Sequence, residues 1–344
     1  LTHCPIEKGQ DIAEALRKTV TAFRFSWEGQ VFSVGVSIGL VSITEESGSL
    51  DEVLSHADAA CYAAKDRGRN RVHLFQPDDI EAQERQGQIQ WASRLQEALD
   101  KDLFRLYFQT IVPLENSENT MPHYEILARM IGPKGEIIPP GAFIPAAERF
   151  GLMPKIDQWV IRNTLSWMGD QLRQNQQPVF CSINLSGASI GREDILQLIQ
   201  EQLEKRKVPA NNICFEITET SAIADPANAA RFITELKGLG CQFALDDFGS
   251  GLSSFGYLKQ LPVDYLKIDG IFIQELANNR IDQAMVASIN NIGHIMGLKT
   301  IAEFVEDAAT LNILRQIGVD YVQGYYLSRP EPLESLMSVR VMPR

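Results

Sequence analysis

From residue 103 onward, short β-rich runs alternate with helical segments, and few folds accept that pattern. The runs cover residues 103–112, 124–130, 179–185, 213–218, 242–246, 265–268, 300–304 and 321–326. Helical periodicity fills 155–174, 193–205, 227–239, 282–296 and 308–317 between most of them. Eight strands with intervening helices predict an α/β fold, a TIM-type (β/α)8 barrel. The first two runs are joined only by a polar loop, residues 115–122, whereas parallel neighbours need a dozen or more residues between them. A barrel whose first strand runs antiparallel to the rest follows.

Period-2 alternation sorts each strand into two faces. Ser182, Asn184 and Ser186 share one face and Ile183 and Leu185 the other; Glu216 opposes Phe215 and Ile217, and Lys267 and Asp269 oppose Leu266 and Ile268. In such a barrel the aliphatic face packs on the helices, so the polar residues point inward, near the strand ends where barrel active sites lie. The result is a ring of Glu125, Asn184, Glu216, Asp246 with Asp247, Lys267, Glu303 and Gln323, drawn from seven consecutive strands. Carboxylates crowded into a low-dielectric mouth repel one another unless cations neutralise them.

Carboxylate and amide oxygens suit Mg²⁺ or Mn²⁺ rather than zinc. The Asp246–Asp247 pair offers a carboxylate able to bridge two ions about 3.5–4 Å apart, and two such ions can drive in-line phosphoryl displacement by water. A metal phosphoesterase therefore leads over a purely structural polar ring. Lys267 either serves a phosphate oxygen or the attacking water, or salt-bridges the ring. Glu303 is a general base or a second-metal ligand. Arg129, on the Glu125 face beyond Leu127, either pairs bidentately with phosphate or lies on the surface. The glycine-rich stretch 246–256 lacks both the Walker lysine and the G-x-G-x-x-G spacing, and reads as a mobile loop.

A net charge of −12 disfavours a binder of long nucleic acids, and no aromatic-basic groove supports a nuclease on long strands. The histidines form no H-E-x-x-H pair and the five cysteines no C-x-x-C pair. Cys181, Cys214 and Cys241 lie in apolar runs, which suits reduced thiols in a cytoplasmic protein. No apolar run approaches the roughly 18 residues of a membrane span, and no signal peptide is visible.

A barrel of about 250 residues leaves roughly 100 over. Residues 1–76 read as α+β, with helices over 11–23 and 50–67, the second capped by Gly68, and strands over 31–43 and 71–75. Residues 78–100 read as an amphipathic connecting helix, giving divisions at 1–76, 77–100 and 101–344. Leu1 in place of Met marks a piece of a longer protein, which upstream segments could attach to a membrane.

Glu125-Ile-Leu-Ala-Arg129 resembles the E-A-L-L-R signature of the EAL family, phosphodiesterases that linearise cyclic di-GMP in bacterial signalling. The likeness covers residues 92–340. It extends through Phe143–Glu148, Ile183–Ser186, Glu216–Glu219, Asp246–Gly251, Lys267–Asp269, Ile301–Glu303 and Gln323–Tyr325. The resemblance implies that Glu125, Asn184, Glu216 and Asp246 hold one Mg²⁺ or Mn²⁺, while Asp246, Asp247 and Glu303 surround a second. It implies catalytic duties for Glu303 as base, for Lys267, and for Glu219, which anchors the Asp-Phe-Gly loop. By the same correspondence Gln109, Leu127, Arg129, Asp269 and Gln323 serve the substrate, and barrels of this family pair as homodimers.

Three positions depart from the family pattern. Ile126 replaces alanine and is expected on the outer face. Thr110 stands where proline usually follows Gln109. Phe304 replaces the glycine beside Glu303, where a positive φ would strain an aromatic residue and displace the base.

The N-terminal piece, through Val36–Gly39, His56–Lys65 and Gly68–Arg71, resembles the second half of a GGDEF diguanylate cyclase domain. Lys65 and Arg69 match that family's phosphate contacts. The signature loop is missing, which implies a structural piece unable to cyclise GTP. The barrel is thus expected to cleave one phosphodiester of cyclic di-GMP to linear pGpG. The other reading is a receptor that binds the dinucleotide without hydrolysing it.

Overall fold

The computed structural model describes residues 4–27, 30–44, 47, 49–76, 91–115, 121–249 and 256–338. The chain divides into two compact units, Leu1–Ser93 and Arg94–Arg344. Residues 91–100 are helical, and the rest of the expected connecting helix lies outside the described residues.

In the first unit, helix Leu50–Asp66 opens on a capping box formed by Ser49 and Glu52. Its buried face is made of small residues, Ala59, Ala60, Ala63 and Ala64. That face lies against two parallel strands, Ile38–Leu40 and Val72–Leu74. The other helix begins earlier than periodicity suggested, at Ile6. The run read as one strand over 31–43 is split, since Gln30–Ser33 pairs antiparallel with Arg24–Trp27 instead.

In the second unit eight strands close a barrel: β1 Phe104–Pro113, β2 His123–Ile131, β3 Phe180–Asn184, β4 Ile213–Thr218, β5 Gln242–Phe248, β6 Tyr265–Ile268, β7 Lys299–Ala302 and β8 Tyr321–Val322. From β2 to β8 each strand is parallel to the next, while β1 is antiparallel to both β2 and β8, as the short first loop required. β7 ends two residues short of the expected boundary because Phe304 has φ +52°, outside the extended region. β8 is only two residues long, since the chain turns from Gly324. Sequence periodicity missed helix α1, Pro140–Arg149, which carries Pro145 inside it and no side-chain cap.

The outward face is largely apolar, with Thr300 an exception whose hydroxyl donates to Asn290 Oδ1 of the helix Arg280–Ile295 at 2.6 Å. Phe215, Ile217, Phe243, Leu245, Leu266 and Ile268 are all buried under the helices, each contributing about 1.5–3 kcal/mol. Inside, the amino-terminal end is filled by His123, Phe180, Tyr265 and Tyr321, whose rings lie 4.6–6.1 Å apart. Burial, with the nearby Lys267 charge, lowers the His123 imidazole to about 3, so it is neutral, and it meets the Ser182 hydroxyl at 2.9 Å. Beyond these rings, toward the carboxyl end of the strands, lies the polar ring around Lys267.

One polar anchor ties that end to the helical layer. Asp157, in helix α2 (Met153–Arg173), is buried and accepts from Ser186 N at 3.1 Å, Ser186 Oγ at 2.5 Å and Ser189 Oγ at 2.6 Å. These bonds hold the turn that follows Asn184. Asp157→Ala would leave several buried donors unmatched and is expected to lower stability by about 2–4 kcal/mol in urea unfolding. A loss below about 1 kcal/mol would show that water replaces the carboxylate.

Candidate active site

Strand register decides which side chains meet at the mouth. Gln109 lies opposite Glu125 across β1 and β2, Asn184 opposite Glu216 across β3 and β4, and Glu216 beside Ala244, two residues before Asp246. Lys267 enters from β6 fully buried, with its Nζ 2.6 Å from Glu216, 2.8 Å from Glu303, 3.2 Å from Asp246 and 3.9 Å from Glu125. The lysine is thus the hub of the ring, and the salt-bridge role is the one its geometry displays.

The amides complete the ring. Asn184 Nδ2 donates to Glu125 Oε1 at 2.7 Å. Gln323 Nε2 donates to Glu125 Oε2 at 2.6 Å and to Gln109 Oε1 at 3.1 Å, and Gln109 Nε2 donates to Ser328 O at 2.9 Å. Thr110 gives its backbone N–H to Ser328 Oγ at 3.1 Å, a bond that proline at this position could not make.

Electrostatics follow from crowding. Burial raises the carboxyls of Glu216, Asp246 and Glu303; Lys267 pulls them down and the neighbouring carboxylates push them up again. Burial would depress the Lys267 ammonium, but the surrounding carboxylates outweigh it and hold its pKa well above the ordinary value. Asp247, on the open side, is raised to about 6 by burial and by the charges of Asp246 and Asp269.

The donor set fits a cation. Ligand atoms of Asp246, Asp247 and Glu303 lie within 4.8 Å of one another. Glu216 Oε1 and Gln323 Oε1 are buried with no hydrogen-bond partner, the sort of unmatched acceptor that an ion satisfies.

A cavity of about 290 Å³ opens over this centre, lined in part by Gln109, Glu125, Leu127, Arg129, Glu303 and Gln323. Phe304, singled out in the sequence as the departure beside Glu303, also lines it, as do Glu306, Tyr325 and Pro330, to which no sequence signal gave a role. The Arg129 guanidinium sits 5.3 Å over the Tyr107 ring, which orients it at the cavity wall rather than leaving it loose on the surface. Ile126, in contrast, is buried on the outer face.

Asp269 lies close enough to Asp247 for its charge to raise that carboxyl, and its own carboxylate accepts from Ile271 N at 3.0 Å, capping a short 3-10 turn. Glu219, buried at the start of helix Glu219–Ala224, meets the loop it was expected to anchor, accepting from Gly249 N at 2.9 Å and from the Tyr257 hydroxyl. Tyr257 escaped sequence reasoning because a lone tyrosine after a glycine-rich loop has no periodicity. Residues 250–255 of that loop lie outside the described residues.

The strained turn beside Glu303 is real. Phe304 is left-handed, at a cost of about 1–2 kcal/mol for a residue with a Cβ. Displacement of Glu303 does not follow, because the backbone on both sides is pinned: Gln323 N donates to Ala302 O at 2.8 Å and Val305 N to Gln323 O at 3.0 Å. Gly324 allows this approach, since a Cβ there would lie 2.2 Å from Val305 N.

Fold and site together define a barrel with a carboxylate-lined, cation-fitted mouth. The chain belongs to the EAL domain family, whose model matches residues 92–330. Residues 1–71 match the model of the diguanylate cyclase GGDEF domain. A cyclic di-GMP phosphodiesterase, PdeB of Shewanella oneidensis, is 42% identical over 306 residues, covering 88% of this chain. The chain spans 35% of that relative's length. The FimX EAL domain from Pseudomonas aeruginosa bound to c-di-GMP is 34% identical with a TM-score of 0.65, covering 70% of this chain and 96% of that one. The PaMucR phosphodiesterase in complex with c-di-GMP is 32% identical with a TM-score of 0.67, covering 72% and 99%. No helix among the described residues is long and apolar enough to cross a membrane.

Protons and cations compete for the raised carboxyls. Mn²⁺ affinity in titration calorimetry is therefore expected to fall as pH drops through about 6, where Asp247 protonates. The slope should approach about tenfold per pH unit for each proton displaced. Asp247→Asn should weaken binding and flatten that slope; an affinity independent of pH would exclude these carboxylates as ligands.

Proposed function

We propose that the barrel hydrolyses one phosphodiester of cyclic di-GMP to give linear pGpG. The observation that carries this reading is one linked cluster of Glu125, Asn184, Glu216, Asp246, Asp247 and Glu303 around Lys267, which meets the open cavity at Glu125 and Glu303 and leaves ligand-type oxygens unmatched. The likeness to relatives named as cyclic di-GMP phosphodiesterases supports the substrate.

In this reading Glu125, Asn184, Glu216 and Asp246 hold one divalent cation, and Asp246, Asp247 and Glu303 a second. Mg²⁺ or Mn²⁺ at these positions would offset the phosphodiester's charge and make a nearby water more acidic. Glu303, whose carboxylate lies 2.8 Å from Lys267 Nζ, takes the proton of the attacking water. Lys267 keeps the carboxylates gathered and presents a cation toward the reacting phosphate. Arg129 orients the phosphate from the wall through its guanidinium. Gln109, Leu127, Asp269 and Gln323 shape the substrate bed, and Glu219 fixes the Asp-Phe-Gly loop through Gly249.

The unpaired thiols suit a reducing, cytoplasmic compartment. We divide the chain into a piece at 1–76, a connector at 77–100 and the barrel at 101–344. Pairing of barrels into a homodimer would be visible in sedimentation.

The test is incubation with cyclic di-GMP and Mn²⁺, followed by chromatography for pGpG. Tight binding without product would replace the enzyme with a receptor. Glu303→Gln is expected to cut turnover by about 10²–10⁴-fold while the dinucleotide still binds; unchanged turnover would refute the base assignment. Glu125→Ala should slow turnover in a way that excess Mn²⁺ partly restores.

A further inference from the structure

A second cavity, of about 250 Å³, opens at the amino-terminal end of the barrel, the opposite end of the strands from the carboxylate ring. It is lined by His123, Phe180, Gln242, Tyr265 and Tyr321, each the first residue of its strand, and by Asn212 just before β4. Three polar groups in this lining are unmatched. Asn212 is only 4% exposed, yet its side-chain amide meets no partner among the described residues, and neither do the hydroxyls of Tyr265 and Tyr321. An unpaired polar group in a buried place costs stability and calls for a partner. A barrel floor that served packing alone would carry aliphatic side chains there.

Size and charge limit the occupant. An apolar cavity of about 150 Å³ holds benzene, and sites for drug-sized ligands begin near about 300 Å³. The floor cavity falls between the two, which suits one bicyclic ring. No lining side chain is charged, since His123 is neutral, so a phosphate or carboxylate would leave water without a counter-ion. The aromatic walls suit a flat body, while the amide and the two hydroxyls offer both donors and acceptors to its edge. We propose that the floor cavity is a binding site for a neutral, planar, bicyclic heterocycle with hydrogen-bonding edges, of the size and kind of a purine base. The assignment does not depend on the phosphodiesterase reading of the mouth.

The probe is adenine, titrated into the whole chain and followed by calorimetry and by ligand-observed NMR. A Kd of about 0.1–1 mM is expected for a ligand of this size. Adenosine monophosphate should bind about tenfold more weakly or worse, because its phosphate finds no counter-ion. Asn212→Leu keeps the branched shape and removes the amide, and should raise the Kd about fivefold or more. Tyr321→Phe removes only a hydroxyl and should raise it about two- to tenfold. Mn²⁺ affinity should be the same in both variants as in the parent, which shows that the barrel is intact. Saturating cyclic di-GMP, added to the Glu303→Gln protein, should leave adenine bound. The absence of saturable adenine binding would overturn the site and leave a floor that holds water only. Displacement by cyclic di-GMP would place adenine at the mouth and overturn it equally. So would unchanged affinity in both variants, or preference for tetramethylammonium over adenine, which would make the rings a cation cage.

Discussion

The second unit is organised around one charge problem: a buried ammonium facing a surplus of carboxylates. Lys267 reaches Glu216, Glu303, Asp246 and Glu125 within 4 Å, with no solvent exposure. Each close pair is worth about 4 kcal/mol at an effective dielectric of 20, and each pair of carboxylates repels on the same scale. One cation cannot balance the ring and Asp247 besides. The balance is made up either by protons, which is what the raised pKa values express, or by further cations. Metal affinity, proton affinity and the position of Glu303 are thus aspects of a single interaction.

That interaction requires a rigid frame, and the outer face of the barrel supplies it. Phe215 and Phe243 lie with ring centroids 5.8 Å apart under Phe232 of the helix Pro226–Gly238. The residues that alternate with them, Glu216 and Ala244, face inward. Stability is therefore gained on one face of each strand and spent on the other, where like charges are held together. Asp157 closes the arrangement by fixing the turn after Asn184 from the helical side.

Much of this was legible in the residues. Alternation placed Glu216 and Lys267 inward because period 2 is a local property of any strand. The antiparallel β1 followed from the length of one loop. Features that depend on non-local contact were hidden. Tyr257 matters because Glu219 is folded against it. The ends of β7 and β8 were misjudged for a related reason. Thr300 to Phe304 has strand-like composition, but the hydrogen bonds exchanged with Gln323 impose a left-handed residue there.

The mouth is consequently built in two ways. From β2 to β6, parallel register sets the positions of Glu125, Asn184, Glu216 and Lys267, while a register shift between Leu245 and Phe248, with Asp247 left-handed at φ +54°, places Asp246 and Asp247. At β7 and β8 the ladder is short, and side-chain placement passes to backbone pins and to glycines that permit close approach. The first half holds charges that would otherwise fly apart and needs the continuous ladder to do so. The second half carries Glu303 and Phe304 on a turn pinned to Gln323 by backbone hydrogen bonds rather than by a strand ladder. A side chain at position 304 can therefore alter what lies over the carboxylates while the carboxylates stay where Lys267 holds them.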